Sequence, residues 1–339
     1  MLKRTLIFGL SLVLVFSFSF SSVFESKVSA AEYTMKIAHA AMPDSARHKG
    51  AEEIKRVVEE LTGGKVAVQI YPASQFGSGR EQIESLQVGA LEMSILPSAF
   101  LGGFQPLVTI LDLPFFYPAD KEELLALERS EAMAKVLETT EEKGVISLGL
   151  WHTGYKQFTS DGKPLNEVSN FKGMKVRSMP SPVQVEMYEV YGAKPITMPF
   201  SETYSALQTG AIDGQDNPIT TNYDMKFFEV QDYLTLSKHG LLDQVIMVSQ
   251  DWFEGLPSDI QKVVEQAVRD GRDVCEEQIM ENEENYLEEM RASGIEVIEL
   301  TEEQRDDFIE KSEAVKEFYI EKYGEKAEEL VNGLEAEME

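Results

Sequence analysis

Short alternating apolar runs separated by helical spacing fill most of the chain beyond residue 30. Thr34 to His39 alternates as a first strand, and residues 45–61 then space Ala46, Ile54, Val57, Val58 and Leu61 as one face of a helix that Gly63-Gly64 ends. Val66, Val68 and Ile70 alternate through a second strand that Pro72 stops. The pattern predicts a helix over 80–88, a strand over 93–96, an acid-rich helix over 121–142 and a buried strand over 145–151. It continues with a strand at 174–177, a helix from Ser181-Pro182 to Tyr191, and a strand at 195–198. A helix follows with Ser201 as N-cap and Gly210 beyond its end, and then a strand at 244–249. Strands separated by helices predict an α/β fold with parallel or mixed sheets covered on both faces. Ligands of such folds bind at the carboxyl ends of strands, where His39, Trp151, Arg177 and the polar Asp213–Asn217 turn fall.

One segment is longer than the rest. Ser258 with Gln261 reads as a capping box, and apolar positions recur from Ile260 through Val264, Val268, Cys275 and Ile279 to Leu287 and Met290. Thirty-odd helical residues span about 45–50 Å, longer than one small domain is wide, so the helix is expected to brace two domains. Residues 301–339 read as short acid-rich amphipathic helices.

The N-terminus has its own grammar. Lys3-Arg4 precede an apolar stretch from Leu6 to Phe20, and Val28-Ser29-Ala30 supplies small residues around a cut before Ala31. That is the pattern of a secretory signal peptide, removed after residue 30. No cysteine near the cut offers a lipid anchor, and no later segment is apolar for long enough to cross a bilayer. An extracytoplasmic location, in the periplasm or on the outer cell surface, follows as the expectation, with no direct membrane insertion after cleavage. With one cysteine, Cys275, an internal disulfide is impossible, and about 309 residues remain for a core of ordinary kind. The formal charge of −28 becomes −30 once residues 1–30 are gone. Such a surface repels nucleic acid and anionic lipid, and it leaves an anion only sites where local cations and backbone amides outweigh the global field.

Enzyme motifs are scarce. The histidines at 39, 48, 152 and 239 lack the i, i+4 spacing of a helical zinc site, so no metal and no cofactor is expected; Phe76-Gly77-Ser78-Gly79 lacks the glycines of a nucleotide loop. Cys275 lies on the apolar stripe as a packed thiol. Binding features say more. Lys172 to Arg177 leads into a strand ending on an arginine before Pro180-Ser181-Pro182, where a guanidinium can hold a carboxylate by two parallel hydrogen bonds, although exposed arginine is the commoner case. Gly210 to Pro218 alone reads as a polar, glycine-bearing loop.

The segments Thr62-Gly63-Gly64-Lys65, Tyr71-Pro72-Ala73-Ser74-Gln75, Glu84 to Ala90, Leu113-Pro114-Phe115, Gly154-Tyr155-Lys156-Gln157, Gly173 to Arg177, Phe200 to Gly210, Asp213 to Asn217 and His239-Gly240 occur in an order and spacing that is specific as a set. Together they resemble the solute-binding proteins of tripartite ATP-independent periplasmic (TRAP) transporters, and most of all their C4-dicarboxylate-binding subgroup, from His39 to about Gly271. The resemblance implies a two-domain, periplasmic-binding-protein-like α/β fold with mixed sheets, hinge strands and a bracing helix. Domain I would hold residues 33–154 and 243–282, domain II residues 155–242 and 283–339, with the ligand cleft between them. It also implies a small organic acid as ligand, such as malate, succinate or fumarate, delivered to TRAP-type membrane permease subunits without chemical change. Arg177 would clamp a carboxylate, Asn217 would orient it, and Lys156 stands where the dicarboxylate subgroup carries lysine. Pro218 and the Leu241-Leu242-Asp243-Gln244 segment depart from the family pattern and leave the distal pocket end open. Further candidates are His39, which reads almost equally as a structural histidine, and Ser98, which reads equally as a cap; Trp151 and Phe76 could line the cleft, with aromatic core packing the preferred reading, and Gln75, Asn222, Tyr223 and His239 are candidates for supporting contacts. Rival readings are a secreted enzyme acting on a carboxylate, or a binder of a sugar acid, an ectoine-like zwitterion or an aromatic acid. The exported protein is expected to begin at Ala31 without lipid; its intact mass checks this, and an uncleaved or acylated chain is the contrary result.

Overall fold

The computed structural model describes residues 31–338, which cluster as one compact unit. The expected signal peptide lies outside the described residues. In chain order the elements are β1 (Tyr33–His39), α1 (Ala46–Leu61), β2 (Val66–Tyr71), α2 (Gly79–Gln87), β3 (Met93–Pro97), α3 (Lys121–Glu128), α4 (Glu131–Glu138) and β4 (Val145–Trp151). There follow β5 (Gln157–Ser160), β6 (Lys175–Ser178), α5 (Pro182–Val190), β7 (Lys194–Thr197), α6 (Thr203–Gln208), β8 (Gly214–Asn217), α7 (Ile219–Asp224) and β9 (Tyr233–Leu236). The chain ends with β10 (Gln244–Ser249), α8 (Gln250–Glu254), α9 (Ser258–Ser293), β11 (Glu296–Glu299), α10 (Glu302–Tyr323) and α11 (Glu325–Met338).

Two mixed sheets organise these elements. The first runs β2-β1-β3-β10-β4, with β10 antiparallel to both neighbours. Its strands are apolar on both faces because both are covered. On β10, Ile246 and Val248 face the core shared with α1 and α9, while Val245 and Met247 face the core shared with α2, α3 and α4. The second sheet runs β11-β9-β5-β8-β6-β7 and packs Phe158 and Val176 against Met187 of α5 and Phe308 and Val315 of α10. α11 runs back and packs against α3 and α4.

Two chain segments cross between the sheets: 152–156 leads from β4 to β5, and 237–243 leads from β9 to β10. They lie against one another as a short antiparallel ribbon. Lys156 donates its backbone N–H to Gly240 at 2.8 Å, and Leu242 donates to Gly154 at 3.1 Å. α9 is the third connection. Its 36 residues, about 54 Å of helix, pack on α1 at one end and on α7 further along. The predicted brace is therefore present, and the two mixed sheets with their crossing ribbon match the expected two-domain α/β class.

Local corrections are informative. The helix expected over 121–142 breaks at Arg129, because the Ser130 hydroxyl accepts from the Met133 N–H and starts α4 afresh. Ser258 caps nothing: the N-cap of α9 is Pro257, and Gln261 instead donates to the Leu256 carbonyl at 3.0 Å. Ser201 is likewise no N-cap, for it lies inside a single 3-10 turn (Phe200–Glu202) that leads into α6. The polar Asp213–Asn217 segment is not a turn, since its last four residues form β8, a buried strand in the middle of the second sheet.

The α1–α9 contact depends on two glycines. A Cβ on Gly50 would stand 2.6 Å from the Gly271 carbonyl oxygen and 2.6 Å from the Trp151 ring, and one on Gly271 would stand 2.6 Å from the Gly50 carbonyl oxygen. Backbone on both sides cannot yield cheaply, so Gly50→Ala is expected to cost about 1–3 kcal/mol of stability. Gly103→Ala, where nothing lies within 4 Å of the added atom, is expected to be near neutral. Urea denaturation midpoints of the two variants check this.

Candidate functional site

The carboxyl ends of β5, β6 and β8 gather the second lobe's polar groups. β6 brings Arg177 alongside β8 through the Val176–Gly214 pairing, and β5 pairs Gln157 with Asn217 and Thr159 with Gln215. Alternation then places Arg177, Gln215 and Asn217 on one face of the sheet, and Asp216 with Phe158 on the other.

Arg177 is fully buried. Its Nη2 donates to the Met198 carbonyl at 3.4 Å, and its guanidinium lies 5.8 Å from the centre of the Phe200 ring. Its Nε and Nη1 have no hydrogen-bond partner. Burial pulls its pKa down to about 10, with Asp216 and Tyr188 opposing, so the side chain remains a cation at neutral pH. Asn217 is set by its neighbours: its Nδ2 donates to Gln215 Oε1, and its carbonyl accepts from Asn222 Nδ2 at 2.8 Å. Gln215 in turn donates to Thr159 Oγ1 and Asn222 Oδ1, both at 2.8 Å, and Thr159 donates to Gln231 at 3.0 Å.

On the other face, Asp216 is the hub. Gln184 Nε2 reaches its two oxygens at 2.7 and 2.8 Å, His239 Nε2 lies 3.2 Å from Oδ2, and Lys156 Nζ lies 3.7 Å from Oδ2. Burial alone would raise the Asp216 carboxyl, but Lys156 and then His239 hold it well below the usual carboxylate range. Lys156 is thus paired within the protein, although it is nearly as buried as the arginine. His239 stacks face to face on Phe158 at 3.7 Å and joins Ser237 Oγ at 2.7 Å; burial lowers its pKa against the pull of Asp216.

The first lobe contributes a different set. His39 ends β1 fully buried, with Nε2 3.1 Å from His48 Nδ1 and its own Nδ1 unpartnered. Ser98 donates to Asp112 Oδ1 at 2.9 Å. Beside His39 stands Arg47, a buried arginine whose Nη1 and Nη2 make only 3.5 Å contacts to Gln244 Oε1 and Thr221 Oγ1. Sequence reasoning passed over Arg47, Gln184 and Gln215: an arginine one residue before a histidine in an amphipathic helix carries no mark of burial. Two candidates do not join either group. Trp151 donates its indole N–H to the Val268 carbonyl at 3.1 Å and fills the α1–α9 core, because the Gly50–Gly271 approach leaves a ring-sized gap there. Gln75 is exposed on the turn after β2. Phe76 packs edge-on against Tyr71, and Tyr223 stacks on Tyr286 of α9. A larger surface cavity, about 750 Å³ between α4 and α11, is lined by Glu131, Glu138, Glu141, Glu142, Glu329 and Glu337 among others, the wrong sign for an acid.

A family model described as bacterial extracellular solute-binding protein, family 7, matches residues 37–322. The chain belongs to that family. Family 7 proteins act outside the cytoplasm, and no described helix is long and apolar enough to cross a membrane. Among curated relatives, the C4-dicarboxylate-binding periplasmic protein DctP of Rhodobacter capsulatus is 36% identical over 276 residues, covering 80% of this chain and 81% of its own. Solved structures of TRAP periplasmic solute-binding proteins superpose closely. That from Desulfovibrio salexigens with bound orotic acid has a TM-score of 0.87 at 33% identity, covering 90% of this chain and 98% of its own. That from Sulfurospirillum deleyianum with bound succinate has a TM-score of 0.83 at 32% identity, covering 90% and 99%. This family 7 chain is therefore a TRAP solute-binding protein, of a kind that binds small organic acids and works with membrane permease components.

His39 yields a pH prediction. Burial, then Arg47 and His48, lower its pKa from 6.5 to about 3, so the folded protein keeps it neutral. Its contribution to stability is complete above pH 6.5 and is lost as pH falls toward 3, because only the unfolded chain takes up the proton. Between pH 6.5 and 5 the loss is about 2 kcal/mol. His39→Gln is expected to remove that part of the acid sensitivity, read as the difference between the two proteins' urea midpoints at the two pH values.

Proposed function

We propose that this protein captures a small organic acid, a C4-dicarboxylate such as malate, succinate or fumarate, between its two lobes and delivers it unchanged to a TRAP-type membrane permease. The observation that carries this reading is Arg177, a buried guanidinium with two of its nitrogens, Nε and Nη1, unpartnered. An unpaired buried cation is costly, and a carboxylate accepting two parallel hydrogen bonds is the ligand group that best relieves the cost. Asn217, on the same sheet face as Arg177 and held by Gln215 and Asn222, would offer its remaining amide hydrogen to the same carboxylate. A second carboxylate has two cations to meet: Lys156, by exchange with Asp216, and Arg47, which reaches over from the first lobe with long contacts. His39, Ser98 and His239 complete the polar surround; Trp151 and Gln75 act elsewhere. The succinate-bound and C4-dicarboxylate-binding relatives support the ligand class.

Closure belongs to this reading. The lobe of residues 33–154 and 243–282 turns against that of 155–242 and 283–339 about the crossing ribbon, with α11 lying over the first. Expulsion of water on closure strengthens the charged contacts despite the acidic surface.

Calorimetry with matched mono- and dicarboxylates tests the assignment. Arg177→Ala is expected to weaken binding by about 2–5 kcal/mol, roughly 30-fold to several thousand-fold. Arg177→Lys should also bind poorly, because an ammonium loses the planar fork. Lys156→Ala and Arg47→Met should cost less and should penalise dicarboxylates selectively. Near-native binding by a folded Arg177→Ala protein overturns the site. A thermal-shift panel including orotate, sugar acids and ectoine tests the ligand class, and recovery of altered ligand after incubation would favour an enzyme.

A further inference from the structure

The crossing segments carry a second buried cluster that acid binding leaves unused. His152 follows β4 directly and Asp243 precedes β10 directly, so each stands where its segment meets the first sheet; Glu128 closes α3. His152 Nδ1 lies 3.0 Å from Asp243 Oδ1 and 3.3 Å from Glu128 Oε1, and the three side chains are 4%, 0% and 3% exposed. A ring nitrogen carries at most one hydrogen. Asp243 Oδ1 is placed to take it, and Glu128 Oε1 and Asp243 Oδ2 are left buried without a hydrogen-bond partner. Orphaned carboxylate oxygens in a dry site are costly, and two of them converge here.

The surrounding charges do not relieve them. Glu276 of α9 accepts the His152 backbone N–H at 3.4 Å and pairs with Arg129 at 3.2 Å, while Arg272 is paired with Asp273 at 2.8 Å. Two carboxylates therefore share one imidazole, with a third carboxylate nearby. Two carboxylate oxygens without a hydrogen-bond partner beside a single imidazole nitrogen are what a bound cation would satisfy.

The spacing favours a metal. Tetrahedral coordination with bonds of about 2.0–2.1 Å sets ligand atoms about 3.3–3.4 Å apart, close to the two spacings around His152 Nδ1. The three donor atoms all lie within 4.8 Å of one another. One imidazole nitrogen with two carboxylate oxygens suits zinc-class ions, whereas calcium and magnesium favour oxygen-only sites. Glu128 also borders a surface cavity of about 400 Å³, which offers a way in and room for a fourth ligand from water. We propose that Glu128, His152 and Asp243 form a divalent metal site of the zinc class, separate from the acid-binding cleft, that pins both crossing segments to the end of α3 when filled.

The test uses the full exported chain, stripped with chelator and titrated with Zn²⁺ by calorimetry and with Co²⁺ by visible absorption. One equivalent is expected to bind, Co²⁺ should show the intense bands of a tetrahedral site, and saturating Zn²⁺ should raise the melting temperature by several degrees. His152→Asn and Asp243→Asn, verified as folded by circular dichroism, should weaken binding by roughly 100-fold or more. The isosteric Glu128→Gln provides the same readout if either of those fails to fold. His48→Asn removes a member of the other close histidine pair and should leave binding intact. Absence of saturable binding by the folded, stripped protein overturns the proposal and leaves the cluster neutralised by protons. Binding that survives the folded cluster variants, or that is lost with His48, overturns it equally.

Discussion

A cation taken fully out of water with two of its donors unmatched is the constraint around which the second lobe is arranged. The chain carries 59 acidic residues against 31 basic ones, so any mobile carboxylate of its own could quench Arg177. The fold prevents this by tying down the acid closest to hand. Asp216 is held from three sides by Gln184, His239 and Lys156 on the face of β8 opposite to Arg177. The acid still biases the region toward cations, yet it is not free to turn and fill the guanidinium fork. Local order beats global charge because the desolvated pair at the strand ends feels its neighbours far more strongly than it feels a screened surface.

β8 makes that separation possible. A glycine and three polar residues in a central strand would be poor β-formers in isolation, and the polar side chains would be costly to bury without partners. Here partners are supplied on both faces: amides and Thr159 on one, Gln184 and His239 on the other. The network fixes the rotamers of Gln215 and Asn217 in the protein by itself.

The same polarity explains what was legible in the sequence. Strands with alternating Val, Ile and Met were readable, as were α1, α5 and the long α9, because their periodicity reports the core they face. Gly214–Asn217 has no apolar signal and looked like a loop; its strand state comes from tertiary partners alone. Arg177 was readable as the end of a strand before a proline turn, and its role came from the resemblance. Arg47 was not, since nothing local distinguishes a buried helix arginine from a solvated one. Trp151 packs in the core, the preferred reading of its sequence, and the room for it is non-local: Gly50 and Gly271, distant in sequence, open the gap that takes the ring.

The lone thiol has a practical corollary. Cys275 is buried on α9, and burial pushes its pKa up to about 12. At neutral pH it presents almost no thiolate and no accessible surface, so alkylating and spin-labelling reagents will pass it by while the fold is intact. A pair of cysteines introduced on the outer faces of the two lobes would then react alone, without first deleting the native one and disturbing the packing around it. The native chain is thus already suited to distance measurements across its hinge in solution.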